Sequence, residues 1–114
     1  MSARPTLYRW NDLPLEIATE MVARKAMTVG EAELVQLYFK KGAVVPQHQH
    51  PASLAVYVLQ GTIRFVVEGM ATTVREGKVL VIPAGAWHES ESLDDTFVMT
   101  VSATRAKSDS QGAE

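Results

Sequence analysis

The three histidines of this chain, His48, His50 and His88, are the side chains best suited to carry chemistry. His48 and His50 stand two residues apart, in a segment bounded by Pro46 and Pro51 that leads into a predicted strand. Residues i and i+2 of an extended chain point to the same face, so both imidazoles can reach one point. His88 follows a second apolar run. If the strand formed by this run packs opposite the strand next to His48 and His50, the three imidazoles converge. Neutral imidazole is the commonest metal ligand, and three of them suit Zn, Cu, Ni, Co or Fe(II).

The absence of cysteine narrows the ligand chemistry. Without thiols the chain forms no disulfide, no thiolate nucleophile, no zinc ribbon and no iron–sulfur cluster. A metal ion would have to be held by nitrogen or oxygen atoms. The His-x-His pair alone is as compatible with ordinary hydrogen-bonded surface histidines as with a metal site. The surrounding residues are therefore needed to distinguish the two.

Alternating apolar and polar residues of β-forming types predict that strands position these histidines. Turn signals containing glycine separate the strands at short intervals, which indicates a sandwich or barrel rather than βαβ units. The clearest predicted strands are 33–40, 54–60, 62–68, 79–82 and 96–103, with weaker candidates at 17–27 and 70–75. Helical structure is expected only as a turn near 11–16, where Pro14 limits its length.

Size and charge exclude several classes of partner. The chain has 114 residues, of which 46% are hydrophobic and 21% charged, as expected for one compact domain. Its net charge is −2 with a pI near 5.9. The lysines and arginines are scattered and form no basic stripe that could neutralise a row of phosphates, so we expect no nucleic acid partner. The longest apolar stretches, such as 54–59, are far shorter than the roughly 20 residues of a membrane helix. With no segment typical of a signal peptide at its start, we expect a cytoplasmic protein without a membrane partner.

Two patterns of glycine, histidine and proline give the sequence a family resemblance. Gly42, five further residues, the pair His48 and His50, and the segment YVLQG at 57–61 resemble the first cupin motif. Gly77, the segment PAG at 83–85 and His88 resemble the second. The resemblance implies an all-β cupin jelly-roll β-barrel, or double-stranded β-helix, with a short N-terminal extension. We expect residues 1–15 to pack on or swap between subunits, residues 16–104 to form the barrel, and residues 105–114 to be a flexible polar tail.

Among cupins, the sequence is most similar to small single-domain proteins related to the uronate-linearising cupins of pectin catabolism. The likeness lies in WNDLP at 10–14, KKGA at 40–43, HQHP at 48–51 and YVLQG at 57–61. Those enzymes open the ring form of an unsaturated sugar acid with a bound divalent metal. The resemblance therefore implies a metal held by His48, His50 and His88, a small-molecule ligand and a homodimer.

The sequence departs from the family at two places that bear on catalysis. Cupins usually supply a fourth ligand, Glu or Gln, three or four residues after the second histidine, where this chain has Ser53 and Leu54. The pectin-type enzymes carry an acid on the last strand, where Thr100 is the nearest polar match, and Arg105 stands near the expected basic position. Three neutral imidazoles without a carboxylate favour Zn, Ni or Fe over Mn.

Three functions are compatible with such a site. The first is a metal-dependent cupin acting on a small organic molecule, either as a sugar-acid-like lyase or isomerase or as a dioxygenase. The second is a cupin that binds or senses a small ligand or metal without turning it over, which the missing carboxylates favour. The third is a metal-free barrel serving as a scaffold, which the retention of all three histidines argues against.

Overall fold

Ten β-strands and one short helix make up the part of the chain that the computed structural model describes, residues 4–103. The 3-10 helix is Trp10–Asp12. The strands are β1 (Glu16–Thr19), β2 (Val22–Val29), β3 (Ala32–Phe39), β4 (Val44–His48), β5 (Leu54–Gln60), β6 (Thr62–Val67), β7 (Met70–Arg75), β8 (Val79–Ile82), β9 (His88–Ser92) and β10 (Thr96–Ala103). Within residues 4–103, no helix is long and apolar enough to cross a bilayer.

The strands form two antiparallel sheets that face each other. The larger sheet has the order β1-β2-β3-β10-β5-β8, and the smaller has the order β4-β9-β6-β7. Some neighbours are distant in sequence, since β10 lies between β3 and β5 and β9 lies between β4 and β6. This arrangement confirms the predicted all-β jelly-roll.

The hydrophobic core lies between the two sheets. Side chains alternate along the strands, so that Thr96, Val98 and Thr100 of β10 are buried while Phe97 and Val101 are exposed. The most deeply buried apolar side chains come from both sheets and are Val56, Val58, Ile63, Ile82 and Val98. Burial of these branched residues on the inner faces explains why apolar residues recur at every second position of the strands in the sequence.

Gly61 joins the two sheets where the chain passes from β5 to β6. Its φ is +94°, in the left-handed region that favours glycine. A Cβ at this position would lie 2.4 Å from the Asp95 carbonyl oxygen and 2.6 Å from Thr96 Oγ1, closer than atoms can pack. The Thr96 hydroxyl in turn accepts a hydrogen bond from the Thr62 amide at 3.2 Å. The close approach of backbone therefore requires glycine at this crossover.

The N-terminal third shows two differences from the predicted elements. The single weak strand expected at 17–27 is two strands, β1 and β2, separated by a turn in which Thr19 Oγ1 accepts a hydrogen bond from the Met21 amide. The helical turn expected at 11–16 is only the 3-10 helix, which lies slightly earlier. Its Trp10 carbonyl accepts a hydrogen bond from Lys25 Nζ at 3.1 Å, which ties it to β2.

The weaker strand candidate at 70–75 is confirmed as β7. The division into an extension, a barrel and a tail stays a prediction, although the first strand begins at Glu16. The predicted tail, including Arg105, lies outside the described residues.

Candidate metal centre

Two neighbouring strands of the smaller sheet bring the three histidines together. β4 ends at His48 and β9 begins at His88, and these two residues are directly paired in the antiparallel ladder. His50 lies just beyond the end of β4. The ring centroids are 4.2 Å apart for His48 and His88, 4.8 Å for His48 and His50, and 5.3 Å for His50 and His88. The rings converge as expected, but from adjacent strands of one sheet rather than from strands packed opposite each other.

The nitrogen geometry suits a single metal ion. One ring nitrogen from each histidine can be chosen so that all three lie within 4.8 Å of one another. The Nε2 atoms of His48 and His50 are 3.2 Å apart. Two nitrogens bound to the same tetrahedral ion at about 2.0–2.1 Å would be separated by about 3.3 Å, so these two rings are already at ligand spacing.

Backbone carbonyls orient two of the three rings. His48 Nδ1 lies 2.8 Å from the Pro46 carbonyl oxygen, and His88 Nδ1 lies 3.0 Å from that of Ala86. A carbonyl can only accept a hydrogen bond, so in the neutral imidazole each Nδ1 carries the proton and each Nε2 carries the lone pair that can ligate a metal. Carbonyl partners of this kind fix the tautomer of metal-binding histidines and raise their basicity as ligands.

The electrostatics favour the neutral form that ligates metal. The pKa of His50 is lowered below its usual 6.5, first by burial of its ring and then by the neighbouring His48 and His88. The residue as a whole is exposed at the rim, but its ring faces the other two. A lowered pKa favours the neutral form of the His50 imidazole, which is the form that binds a cation.

The polar residues that alternate with the histidines face away from the cluster. His88 is 3% exposed, whereas Glu89 and Glu91 on the same strand are exposed on the opposite face, as predicted from strand parity. Gln47 and Gln49 are also exposed. The carboxylates nearest to the histidines in sequence therefore do not complete the ligand set.

An apolar cavity of about 90 Å³ adjoins the histidine rings inside the barrel. Leu54, Val56 and Phe65, which strand parity places on the same face as the histidine pair, are among its walls, together with Thr100. Ser53 is exposed and does not line it. Of the two residues at the position where the resemblance implies a fourth ligand, Leu54 is therefore the one that lines the cavity, and Thr100 lines it from β10. Trp87, which precedes His88, is 47% exposed and lies outside this cavity.

The cavity opens into a wider cleft of about 450 Å³ that shares His50, Leu54 and Thr100 with it. This cleft also contains Arg24 and Glu33, which the sequence did not identify as site residues. A signal for both existed, because Arg24 stands at an inward position of β2 between Val22 and Ala26, and Glu33 precedes Val35 and Leu37 at an inward position of β3. Recognising it would have required the limits of β2, which the weak pattern at 17–27 did not provide.

A family model described as "Cupin domain" (Cupin_2) matches residues 35–103 of the chain. No curated protein sequence matches the chain significantly. The matched region includes all three histidines and the strands that carry them.

Several solved structures share the architecture. KdgF from Halomonas sp. superposes with a TM-score of 0.81 at 23% identity, covering 90% of this chain and 96% of that one. An RmlC-like cupin from Shewanella frigidimarina gives 0.80 at 19% identity, covering 89% and 92%. A variant of oxalate decarboxylase from Bacillus subtilis gives 0.77 at 18% identity, covering 88% of this chain and 30% of that one. At these identities the likeness shows the fold alone.

Proposed function

Because this chain belongs to the Cupin_2 family of cupin domains, we propose that it holds a divalent metal ion and acts on a small organic molecule bound beside it. His48, His50 and His88 are the proposed ligands. The observation that supports this most directly is the convergence of three ring nitrogens within 4.8 Å at the wall of an apolar cavity. Three protein ligands and an adjoining cavity are typical of a catalytic metal site, which keeps a coordination position open for substrate.

The residues around the proposed metal have different roles in binding the ion and the substrate. The two carbonyl-oriented imidazoles and His50 hold the ion, which would supply Lewis-acid chemistry to a substrate oxygen. Leu54, Val56 and Phe65 exclude water from the space next to it, which strengthens electrostatic interactions there. Thr100 offers a hydroxyl on the same wall. Three imidazoles without a carboxylate favour Zn, Ni or Fe over Mn.

Two reaction classes fit this arrangement, a lyase or isomerase acting on a sugar-acid-like molecule and a dioxygenase. The structural neighbours include an oxalate decarboxylase and, at 16% identity and a TM-score of 0.77, the polyketide cyclase RemF from Streptomyces resistomycificus. One architecture thus accommodates different chemistry, and the substrate is decided by the residues around the site.

A second candidate function, supported by Leu54 and Thr100, is binding of a small ligand or metal without turnover. Both residues line the cavity at positions where a carboxylate would otherwise act. Neither side chain can serve as a general base at neutral pH. Under this alternative the protein binds both the metal and the ligand, and no product forms when the metal-loaded protein is incubated with the ligand for a long time.

Elemental analysis of untagged protein tests the metal site. We expect close to one Zn, Ni or Fe per chain and its loss in His48→Ala, since two remaining imidazoles hold an ion far more weakly. Glu89→Gln is the matched control, because Glu89 neighbours His88 in sequence but faces outward. Metal-free wild-type protein that also fails to take up Zn, Ni or Fe(II) on titration would overturn the proposal.

We further propose that two copies of the chain form a homodimer through the outer face of the six-stranded sheet. Across β8, β5 and β10 this face presents Val79, Val81, Tyr57 and Val101, which are 43–65% exposed. Their ladder positions are adjacent, since Tyr57 pairs with Val79 and Ala55 pairs with both Val81 and Val101. A contiguous apolar patch on a sheet face is typical of an interaction surface.

A further inference from the structure

We propose that Arg24 binds a carboxylate of the ligand at the entrance of the site, so that the protein selects small organic acids over neutral molecules of the same shape. This inference rests on the proposed function, because it assumes that the ligand reaches the histidine cluster. It adds a residue that determines specificity, on a strand that carries none of the proposed metal ligands.

The register of the larger sheet places Arg24 on the inner face of the barrel. Arg24 of β2 pairs with Leu37 of β3, and Leu37 pairs with Val98 of β10. Directly paired residues of antiparallel strands point to the same side of a sheet. Leu37 and Val98 line the inner cavity, so Arg24 faces the same interior from the next strand outward.

Arg24 is also part of the wall that leads to the metal centre. It lines the 450 Å³ cleft together with His50, Thr100 and Ser102. Arg24 and His50 stand on the walls of one cleft, and His50 also lines the inner cavity. A ligand lying in this cleft can therefore present a carboxylate to Arg24 and its other oxygens to the histidine cluster.

The charge distribution identifies the kind of ligand group that fits. Among the described residues, Arg24 is the only cationic side chain lining either the cleft or the inner cavity. One guanidinium nitrogen, Nη1, lies 3.2 Å from Glu16 Oε1, and the arginine is 34% exposed while the glutamate is 59% exposed. A guanidinium has five N–H donors, so the ion pair orients it and leaves donors for the forked pairing with a carboxylate.

The other end of the cleft has the opposite character. Glu33 of β3 pairs with Ser102 of β10, and both residues line the cleft. Glu33 is four residues along β3 from Leu37, the residue that pairs with Arg24. The Glu33 carboxylate can accept hydrogen bonds from ligand hydroxyls, and the Ser102 hydroxyl can accept or donate them. The negative charge of Glu33 repels a second acid group. The cleft as a whole therefore matches a hydroxylated monocarboxylic acid.

Calorimetric titration of the Zn-loaded protein with D-glucuronate and D-glucose tests this proposal, because the two probes differ only in the carboxylate. We expect glucuronate to bind at least about ten-fold more tightly, as expected for a charge-assisted hydrogen bond. Arg24→Gln should reduce this preference several-fold in the Zn-loaded protein, where the ion also attracts the carboxylate, and Arg24→Lys should restore only part of it because lysine lacks the fork.

Equal binding of the two sugars by the wild type, no binding of glucuronate, or an unchanged preference in Arg24→Gln would each overturn the inference. Metal content is measured on every variant, and Arg24→Gln should hold as much Zn as the wild type. The titrations are repeated on metal-free protein, where the dependence on Arg24 should persist at lower affinity. Loss of Zn binding by the wild type is a failure of the proposed function, whereas normal Zn binding without acid preference is a failure of this inference alone.

Discussion

The side chain of Leu54 gives the proposed metal site no fourth ligand. It lies at the start of β5 and lines both the inner cavity and the cleft. We expect Leu54→Glu to supply a carboxylate ligand and to raise the affinity for Mn(II) at least about ten-fold, because hard oxygen donors suit Mn better than imidazole alone. The affinity is measured by titrating metal-free protein with Mn(II) and following free Mn(II) by electron paramagnetic resonance.

The neighbouring residue provides the control for that substitution. Ser53→Glu adds the same charge one position away, but Ser53 is exposed and does not line the cavity. It should change the Mn(II) affinity little, since an exposed carboxylate is screened by water. An equal gain in both variants would show that net charge and not coordination is responsible, and would contradict the assignment of Leu54 to the ligand position.

At this same scale, the sequence predicts the clustering of the three histidines better than it predicts their surroundings. Histidine is rare here and chemically distinctive, so its spacing together with the glycine and proline pattern around it predicts that His48, His50 and His88 converge. Which of Ser53 and Leu54 faces the site depends on where β5 begins, and this became clear only from the structure. Arg24 reaches the site through strand pairings that no local pattern encodes.

Strand content is the best-predicted property at the scale of elements, because inward residues of a sandwich alternate with outward ones. The boundary between β1 and β2 was missed because the intervening Glu20 and Met21 have no turn-forming side chain of the usual kinds. The order of strands within each sheet also could not be predicted. β10 pairs with both β3 and β5 over long sequence separations, which local propensity does not determine.

The crossover at Gly61 carries the clearest stability prediction for an element. We expect Gly61→Ala to destabilise the protein by more than about 2 kcal/mol, because the left-handed conformation costs about 1–2 kcal/mol and the new Cβ also collides with the backbone at Asp95. Urea unfolding of wild type and variant gives the difference in free energy. Gly69→Ala is the matched control, since Gly69 also has a positive φ (+80°) but nothing within 4 Å of an added Cβ. Similar losses in both variants would show that the close approach contributes nothing.

The two outer faces of the whole molecule differ in chemistry. The outer face of the smaller sheet has charged residues in register, with Arg64 paired to Glu91, and Glu89 beside them. The outer face of the larger sheet has the apolar patch of Val79, Val81, Tyr57 and Val101, bordered by Phe97. Water solvates the first face readily, whereas the second gains free energy when it is covered, by about 25 cal/mol for each Å² of apolar surface removed from water. This contrast indicates which face a second copy would occupy.

Light scattering coupled to size exclusion tests the dimer. The wild type should have about twice the chain mass of 12.5 kDa, and Val81→Asp should shift it to the monomer, because an unpaired carboxylate would be buried at the centre of the interface. Val44→Asp is the matched control, since Val44 is a similarly exposed valine, 61% against 65%, on the other sheet's outer face. A wild-type monomer, or a dimer that survives Val81→Asp but not Val44→Asp, would contradict the proposed interface. Both valines are exposed on outer faces of the sheets and neither lines the cavity beside the histidine rings. Metal content should therefore stay the same in all three proteins, which separates assembly from the chemistry of the site.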